Sequence, residues 1–209
     1  MQIYTILREM IDNKLAVVIR GENKLNAEKT AEACIAGGIK TLEITFTVPG
    51  ALPLMESLNK AYKNLMIGAG TVLDSETARL AILSGAKFIV SPGFDEYTMK
   101  LCNRYGIPYI PGCMTVNEIM QAVEHGASIT KLFPGNIFAP SFIKTVQGPL
   151  PHVNIMPTGG ITIDNARDWL KAGAVMLGVG SEITNPAKVE NYTEVEKLAE
   201  EFQNLTSKD

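Results

Sequence analysis

A lysine stands inside the apolar run SITKLFP, at residues 128–134, which is typical of a buried β-strand. An ammonium group is costly to bury unless it is paired or neutral, and a neutral lysine amine can attack a carbonyl carbon. Glu43 lies inside a similar run, TLEIT, at residues 41–45. If Lys131 and Glu43 share a cavity, the amine and the carboxylate could act together as an acid–base pair. Two structural alternatives remain open, a strand-edge lysine that extends to water and a buried Lys–Glu salt bridge.

The elements that would position these residues alternate between strand-like and amphipathic helical segments. This alternation predicts an α/β protein, a (β/α)8 TIM barrel that spans residues 1–209 as one domain. An extra N-terminal helix is expected over residues 3–13, before the first strand. A doubly wound open sheet is the alternative, because periodicity alone does not show whether a sheet closes. The predicted strands are residues 15–20, 40–46, 65–70, 88–91, 108–112, 128–133, 153–157 and 175–178.

Residues that begin and end helices support this alternation. Glycine recurs shortly before the predicted strands, at positions such as Gly106 and Gly173, where a left-handed residue commonly ends a helix. Thr115 and Glu118 form a capping-box pattern, and Asp74 is a good N-cap candidate.

In this architecture the chemistry takes place at the carboxyl ends of the strands. Apart from thiols, the ionisable side chains that the sequence places there are Arg20, Glu43 and Lys131. Side chains alternate between the two faces of a strand, so Glu43 shares a face with two threonines while Leu42 and Ile44 suit the helix layer. Glu43 is therefore predicted to point into the barrel mouth.

Two glycine-rich tracts follow the seventh and eighth predicted strands, TGGI at residues 158–161 and GVGS at residues 178–181. TIM barrels frequently bind a phosphate at this place with backbone N–H groups and the N-terminus of a short helix. The predicted phosphate-binding residues are Gly159, Gly160, Gly180 and Ser181. The alternative is that these glycines serve only tight turns.

Composition argues against several other classes of protein. A formal net charge of −3, with no basic block, argues against a nucleic-acid partner or an acidic membrane surface. The N-terminal residues carry charges throughout, so neither a signal peptide nor a membrane span is expected. Three cysteines without CxxC spacing suggest reduced thiols in a cytoplasmic protein. The two histidines belong to no ligand motif, so no metal or other cofactor is expected.

With these residues in view, the sequence resembles the 2-keto-3-deoxy-6-phosphogluconate (KDPG) / 4-hydroxy-2-oxoglutarate aldolase family. The resemblance implies a class I (Schiff-base) aldolase on a TIM barrel, metal-independent and usually a homotrimer. It implies cleavage of a 2-keto-4-hydroxy acid, with KDPG the expected substrate, to pyruvate and an aldehyde. The aldehyde is glyceraldehyde 3-phosphate from KDPG and glyoxylate from 4-hydroxy-2-oxoglutarate. The motifs that carry the resemblance are AVVIR at residues 16–20, LEIT at 42–45, GAGTV at 68–72, SPG at 91–93, IPG at 110–112, KLFP at 131–134 and PTGGI at 157–161.

The resemblance also implies roles for individual residues. Lys131 matches the Schiff-base lysine, Glu43 the general acid/base and Thr71 a pyruvyl-binding threonine, while Arg20 matches an arginine near the substrate carboxylate. Some members carry a second arginine at the position of Thr47, so Arg20 is expected to be the sole cation for the carboxylate here. The alternative function is a phosphate-binding TIM barrel without covalent chemistry, such as a sugar-phosphate epimerase/isomerase relative or a sensor.

Overall fold

Nine short strands, all paired in parallel, alternate with ten α-helices in the computed structural model, which describes residues 2–207. The helix expected before the first strand is present as α1. The strands are β1 (Leu15–Ile19), β2 (Thr41–Thr45), β3 (Met66–Gly70), β4 (Ile89–Val90), β5 (Tyr109–Ile110), β6 (Gly112–Cys113), β7 (Thr130–Leu132), β8 (Ile155–Pro157) and β9 (Leu177–Val179). The helices are α1 (Gln2–Asn13), α2 (Lys24–Ala36), α3 (Ala51–Ala61), α4 (Ser75–Leu83), α5 (Glu96–Tyr105), α6 (Val116–Glu124), α7 (Ser141–Gln147), α8 (Ile163–Lys171), α9 (Ser181–Thr184) and α10 (Tyr192–Thr206).

Local sequence sets several helix boundaries in the way the pattern predicts. The Thr115 side chain accepts a hydrogen bond from the Glu118 amide while the Glu118 carboxylate accepts one from the Thr115 amide, so α6 begins with a capping box. Asp74 caps α4 by accepting from the amide of Thr77. Gly106 ends α5 with a left-handed backbone (φ +64°), a conformation that an L side chain rarely adopts.

The strands form a curled parallel sheet in two hydrogen-bonded segments, ordered β5-β4-β3-β2-β1-β9 and β6-β7-β8. The predicted fifth strand is divided into β5 and β6 at Pro111, which has no N–H to donate to a neighbouring strand. Its carbonyl still accepts from the Lys131 amide at 2.9 Å, so both halves remain in line. This division is why nine strands appear where eight were predicted.

The edges of the two segments approach each other beside β8 and β9. The amide of Val175 donates to the Ile155 carbonyl at 3.1 Å, and Thr158 forms an isolated parallel bridge with Gly178. The first strand also pairs with the last, because Leu15 lies opposite Leu177. A doubly wound sheet instead reverses its strand order at an internal switch point, so this sequential order disfavours that alternative.

The core has two layers. Leu42 and Ile44 belong to the large cluster between the strands and the helices, as their alternation predicts. A second cluster lies on the other face of the strands and includes Phe88 and Met66, with Met10 of α1 packed beside them. Most members of this second cluster lie at the amino ends of the strands, so α1 covers that end. Each fully buried side chain of this size contributes roughly 1.5–3 kcal/mol.

The longest helix among residues 2–207 is α10, with 15 residues. No helix in this part of the chain combines the length and the apolar character needed to cross a bilayer.

Candidate active site

Lys131 and Glu43 occupy the middle positions of two strands that do not pair with each other, β7 and β2. Lys131 Nζ lies 3.7 Å from Glu43 Oε1, and the two side chains are only 6% and 1% exposed. Because β7 lies between β6 and β8, the alternative of a strand-edge lysine extending to water is wrong. The structure therefore brings together the two groups that the sequence singled out.

The Glu43 carboxylate is held by shape as well as by charge. A Cβ atom on Gly70 would lie 2.1 Å from Glu43 Oε1 and 2.5 Å from its Cγ, so only glycine leaves room for this side chain. Glu43 Oε2 is buried and has no hydrogen-bond partner among the described residues. A buried polar atom without a partner costs about 1–3 kcal/mol, more for a charged group. The unpartnered Oε2 atom leaves the Glu43 carboxylate available to exchange a proton with a bound molecule.

Lys131 lies at the wall of a cavity of about 550 Å³, a volume that suits a small organic substrate. Its amine is 5.1 Å from the centroid of the Phe133 ring, within the range of a cation–π contact. Glu43 is not part of the wall and adjoins the cavity through its contact with Lys131. The wall includes Val18, Arg20, Asn26, Thr47, Lys131, Phe133, Thr158, Gly159, Gly160, Gly180, Ser181 and Asn185.

Arg20 follows β1 directly and reaches the same cavity. Its Nη1 atom donates a hydrogen bond to Thr47 Oγ1 at 3.3 Å. Thr47 therefore contacts the arginine that was predicted to bind the substrate carboxylate. Both residues are exposed, which leaves further N–H groups of the guanidinium accessible from the cavity.

Thr71 follows β3 and has a left-handed backbone conformation, with φ +56°. This region is strongly unfavourable for a β-branched residue and costs about 1–3 kcal/mol. The next residue is fixed in place, because the Val72 amide donates to the Val90 carbonyl at 3.2 Å. Thr71 is partly buried and is not among the residues that line the cavity. Strain of this kind is concentrated at functional sites, so it draws attention to Thr71.

The four predicted phosphate-binding residues all line the cavity, and a bridge between Thr158 and Gly178 brings their two tracts together. Gly159 and Gly160 have φ values of +95° and +70°, and a Cβ on Gly160 would lie 2.6 Å from Asn136 Cβ. Within residues 2–207, neither glycine amide donates to another backbone group. Gly180 precedes α9 and Ser181 is its first residue, where helix N–H groups have no partner within the helix. The tracts can therefore present several N–H groups to one anion.

Thr158 is a candidate residue that the sequence reasoning did not select. Its Oγ1 atom is buried and lacks a hydrogen-bond partner among the described residues, and the residue lines the cavity. A Cβ on Gly178 would lie 2.2 Å from this oxygen, so Gly178 makes room for it. The only signal in the sequence is that Thr158 immediately precedes the glycine pair.

Other nucleophiles and ligand groups near the site are few. Cys113 ends β6 opposite Leu132 and belongs to the cluster between strands and helices, and burial raises the pKa of its thiol to about 12, so it is protonated near neutral pH. Among residues 2–207, no three or more His, Cys, Asp or Glu side chains come together as a group that could hold a metal ion.

Comparison with known proteins places the chain in a family. The family model for KDPG and KHG aldolase, where KHG is 4-hydroxy-2-oxoglutarate, matches residues 6–198. A 2-dehydro-3-deoxy-phosphogluconate aldolase of Pseudomonas aeruginosa is 34% identical over 203 residues, which are 96% of this chain and 91% of that protein.

Two solved structures have the same fold and similar sequences. The KDPG aldolase of Legionella pneumophila, with pyruvate captured as a covalent carbinolamine intermediate, is 31% identical with a TM-score of 0.84, covering 91% of this chain and 94% of its own. The aldolase of Zymomonas mobilis with 3-phosphoglycerate is 29% identical with a TM-score of 0.85, covering 95% of both chains. The chain is a lyase and belongs to the KDPG and KHG aldolase family.

Proposed function

We propose that this lyase is a class I aldolase in which Lys131 forms the Schiff base and Glu43 is the general acid/base. The observation that carries the proposal is the buried pair itself, with 3.7 Å between the amine and the carboxylate at the wall of a cavity. A structural salt bridge would also bury both groups, but it would not require an unpartnered carboxylate oxygen or an adjoining cavity.

The reaction begins when the neutral Lys131 amine attacks C2 of a 2-keto-4-hydroxy acid. Loss of water from the carbinolamine gives an iminium ion, which accepts electrons far better than the ketone. The Glu43 carboxylate then takes the proton of the C4 hydroxyl, directly or through a water molecule. The C3–C4 bond breaks, its electron pair forms an enamine, and C4 leaves as an aldehyde. Glu43 returns a proton to C3, and water hydrolyses the iminium to release pyruvate and the free lysine.

The two ends of the substrate would be held by different groups. Arg20 carries the positive charge for the pyruvyl carboxylate, and Thr71 would contribute a hydroxyl on the pyruvyl side. Backbone N–H groups of Gly159, Gly160, Gly180 and Ser181 would hold a phosphate at the far end. The Zymomonas mobilis enzyme with 3-phosphoglycerate supports a phosphate site in this fold. We therefore propose KDPG as the substrate, cleaved to pyruvate and glyceraldehyde 3-phosphate.

The proposal extends to the architecture and the assembly. The approach of β8 to β9 and the pairing of β1 with β9 support a closed (β/α)8 barrel over the described residues 2–207. The predicted single domain, residues 1–209, extends beyond them at both ends. A related chain forms part of a cage designed by fusing symmetric oligomeric domains, which supports self-association, and the assembly that we propose is a homotrimer. The three cysteines are free thiols, which fits a reducing cytoplasm.

The experiment that tests this function is direct product analysis. Incubation of the protein with KDPG, followed by NMR, should give pyruvate and glyceraldehyde 3-phosphate in equal amounts. 4-Hydroxy-2-oxoglutarate should give pyruvate and glyoxylate more slowly. Epimerised or isomerised KDPG without pyruvate would support the non-covalent alternative and contradict the aldolase.

A further inference from the structure

Two threonine hydroxyls link Arg20 to the end of strand β1. Arg20 Nη1 donates to Thr47 Oγ1 at 3.3 Å, and the Thr47 and Thr45 hydroxyls lie 2.8 Å apart. Thr45 Oγ1 in turn lies 3.0 Å from the carbonyl oxygen of Ile19, to which it donates. Arg20 follows Ile19 directly, so this chain of hydrogen bonds returns from the guanidinium to the backbone that bears it.

The donor and acceptor capacities of the Arg20 guanidinium and the Ile19 carbonyl fix the direction of every hydrogen bond in the series that links them. A carbonyl oxygen only accepts, so Thr45 uses its single hydroxyl proton on Ile19. Thr45 must therefore accept from Thr47, which uses its own single proton in doing so. A guanidinium only donates, so Thr47 accepts the hydrogen bond from Arg20 through a lone pair of its hydroxyl oxygen. Each hydroxyl thus donates once and accepts once.

The backbone around the two threonines is also held in place. Thr45 is fully buried and ends β2, and the amide of Phe46 donates to the Gly70 carbonyl of β3 at 2.9 Å. The Val48 amide donates to the Thr45 carbonyl at 3.0 Å and closes a turn. Thr47 lies within this turn and is exposed at the wall of the cavity. The hydroxyl that meets Arg20 is therefore presented by an anchored loop.

We propose that Thr47 is a positioning residue that holds the Arg20 guanidinium toward the substrate carboxylate, with Thr45 as its anchor. The proposal deepens the proposed function and rests on it, since it takes Arg20 as the cation for the carboxylate. Thr47 does not donate to the substrate itself, because its hydroxyl proton is committed to Thr45. One Nη1 proton of Arg20 is used, and the other four N–H groups remain for a carboxylate, which a guanidinium can bind through two of them.

The test measures how tightly pyruvate is captured as an imine. The rate of borohydride inactivation is measured against pyruvate concentration for the parent and for Thr47→Val, which keeps the size and branching but removes the hydroxyl. The concentration for half-maximal inactivation should rise about three- to tenfold, a modest change because the lost hydrogen bond is exposed. The limiting rate at saturating pyruvate should stay within about twofold of the parent, since Lys131 is unaffected. Thr47→Ser, which restores the hydroxyl, should return the concentration to near the parent value.

Two controls separate a role in positioning Arg20 from a general loosening of the loop. Pyruvamide has an uncharged amide in place of the carboxylate, so its capture should respond much less to Thr47→Val. In an Arg20→Met background the Thr47→Val substitution should have no further effect on pyruvate capture, because Thr47 acts through Arg20. An equal loss with pyruvate and pyruvamide, or an undiminished loss in the Arg20→Met background, would overturn the proposal.

The failure of this proposal can be told apart from failure of the proposed function. If Arg20→Met weakens pyruvate capture but Thr47→Val does not, the guanidinium binds the carboxylate without help from Thr47, and only the positioning role is wrong. If Arg20→Met leaves pyruvate capture unchanged, the assignment of Arg20 in the proposed function is wrong, and the positioning role falls with it. If Thr47→Ser weakened pyruvate capture as much as Thr47→Val does, the hydroxyl would not be the group that matters, and the proposal would also be contradicted.

Discussion

Lys131 and Glu43 contact each other on the concave side of the curled sheet, with 3.7 Å between Nζ and Oε1. Their strands, β7 and β2, do not pair with each other. The meeting depends on both residues pointing to the same side of the curled sheet as the apolar cluster around Phe88. Burial removes competing water from both groups, which strengthens the electrostatic coupling between them. The pair is therefore suited to transfer protons next to a covalently bound substrate.

Replacing Glu43 by glutamine should separate imine formation from proton transfer. Glu43→Gln keeps the size of the side chain and removes its ability to take a proton. Exchange of the pyruvate methyl protons in D2O, followed by NMR, should slow by about 10²–10⁴-fold, the usual contribution of a general acid–base group. Trapping of pyruvate by borohydride should persist to an appreciable extent. Methyl exchange at the parent rate would show that Glu43 is not the base.

A methyl group on Gly70 should displace the Glu43 carboxylate. The added Cβ would lie 2.1 Å from Oε1 and 2.6 Å from Cδ, closer than real side chains approach each other. Gly70→Ala should therefore lower kcat for cleavage by about tenfold or more, corresponding to ~1.4 kcal/mol in the barrier. The matched control is Gly93→Ala, which follows β4 at the same end of the sheet and meets no atom within 4 Å. Equal kcat values for the two variants would contradict the fit between Gly70 and Glu43.

The two glycine tracts should select a phosphorylated substrate. Ser181→Asp places a carboxylate at the start of α9, where it should repel a phosphate dianion. The kcat/KM value for KDPG should fall by at least about tenfold, while that for 4-hydroxy-2-oxoglutarate should change little. Ser141→Asp, the same change at the first residue of α7, is the control and lies outside the cavity. An equal loss on both substrates would indicate damage to the fold, and no loss on either would place the phosphate elsewhere.

Features of the fold that depend on local sequence are predicted, whereas those that depend on residues distant in the sequence are not. Alternation in TLEIT predicts which face of β2 is apolar, and the capping box at Thr115 predicts where α6 begins, because both signals are local. The pattern predicts one unbroken fifth strand, whereas the structure divides it at Pro111, a residue type that cannot donate to a neighbouring strand. The strained backbone of Thr71 and the unpartnered hydroxyl of Thr158 depend on neighbours distant in the sequence. No local pattern predicts them, and the same holds for the contact between Arg20 and Thr47.

The cysteines should be unreactive in the folded protein. Cys34, Cys102 and Cys113 are buried, and desolvation raises the pKa of each thiol to about 12. Since the thiolate is the reactive form, titration with Ellman's reagent at pH 8 should label none of the three without denaturant and all three in guanidinium chloride. Rapid labelling of the folded protein would contradict this burial. Loss of aldolase activity in step with that labelling would identify a thiol in the reaction.

The central claim is that Lys131 forms the covalent bond with the substrate. Incubation with pyruvate and sodium borohydride should add one reduced pyruvyl group per chain, located on Lys131 by peptide mass spectrometry. Lys131→Arg should abolish both the adduct and the cleavage of KDPG, because a guanidinium stays protonated and cannot attack the carbonyl. Lys87, a partly buried lysine that donates to the Leu65 carbonyl, provides the matched control, and Lys87→Arg should leave trapping intact. An adduct on Lys131 that disappears in Lys131→Arg is the predicted result. An adduct on another lysine, or KDPG cleavage that persists in Lys131→Arg, would contradict the account.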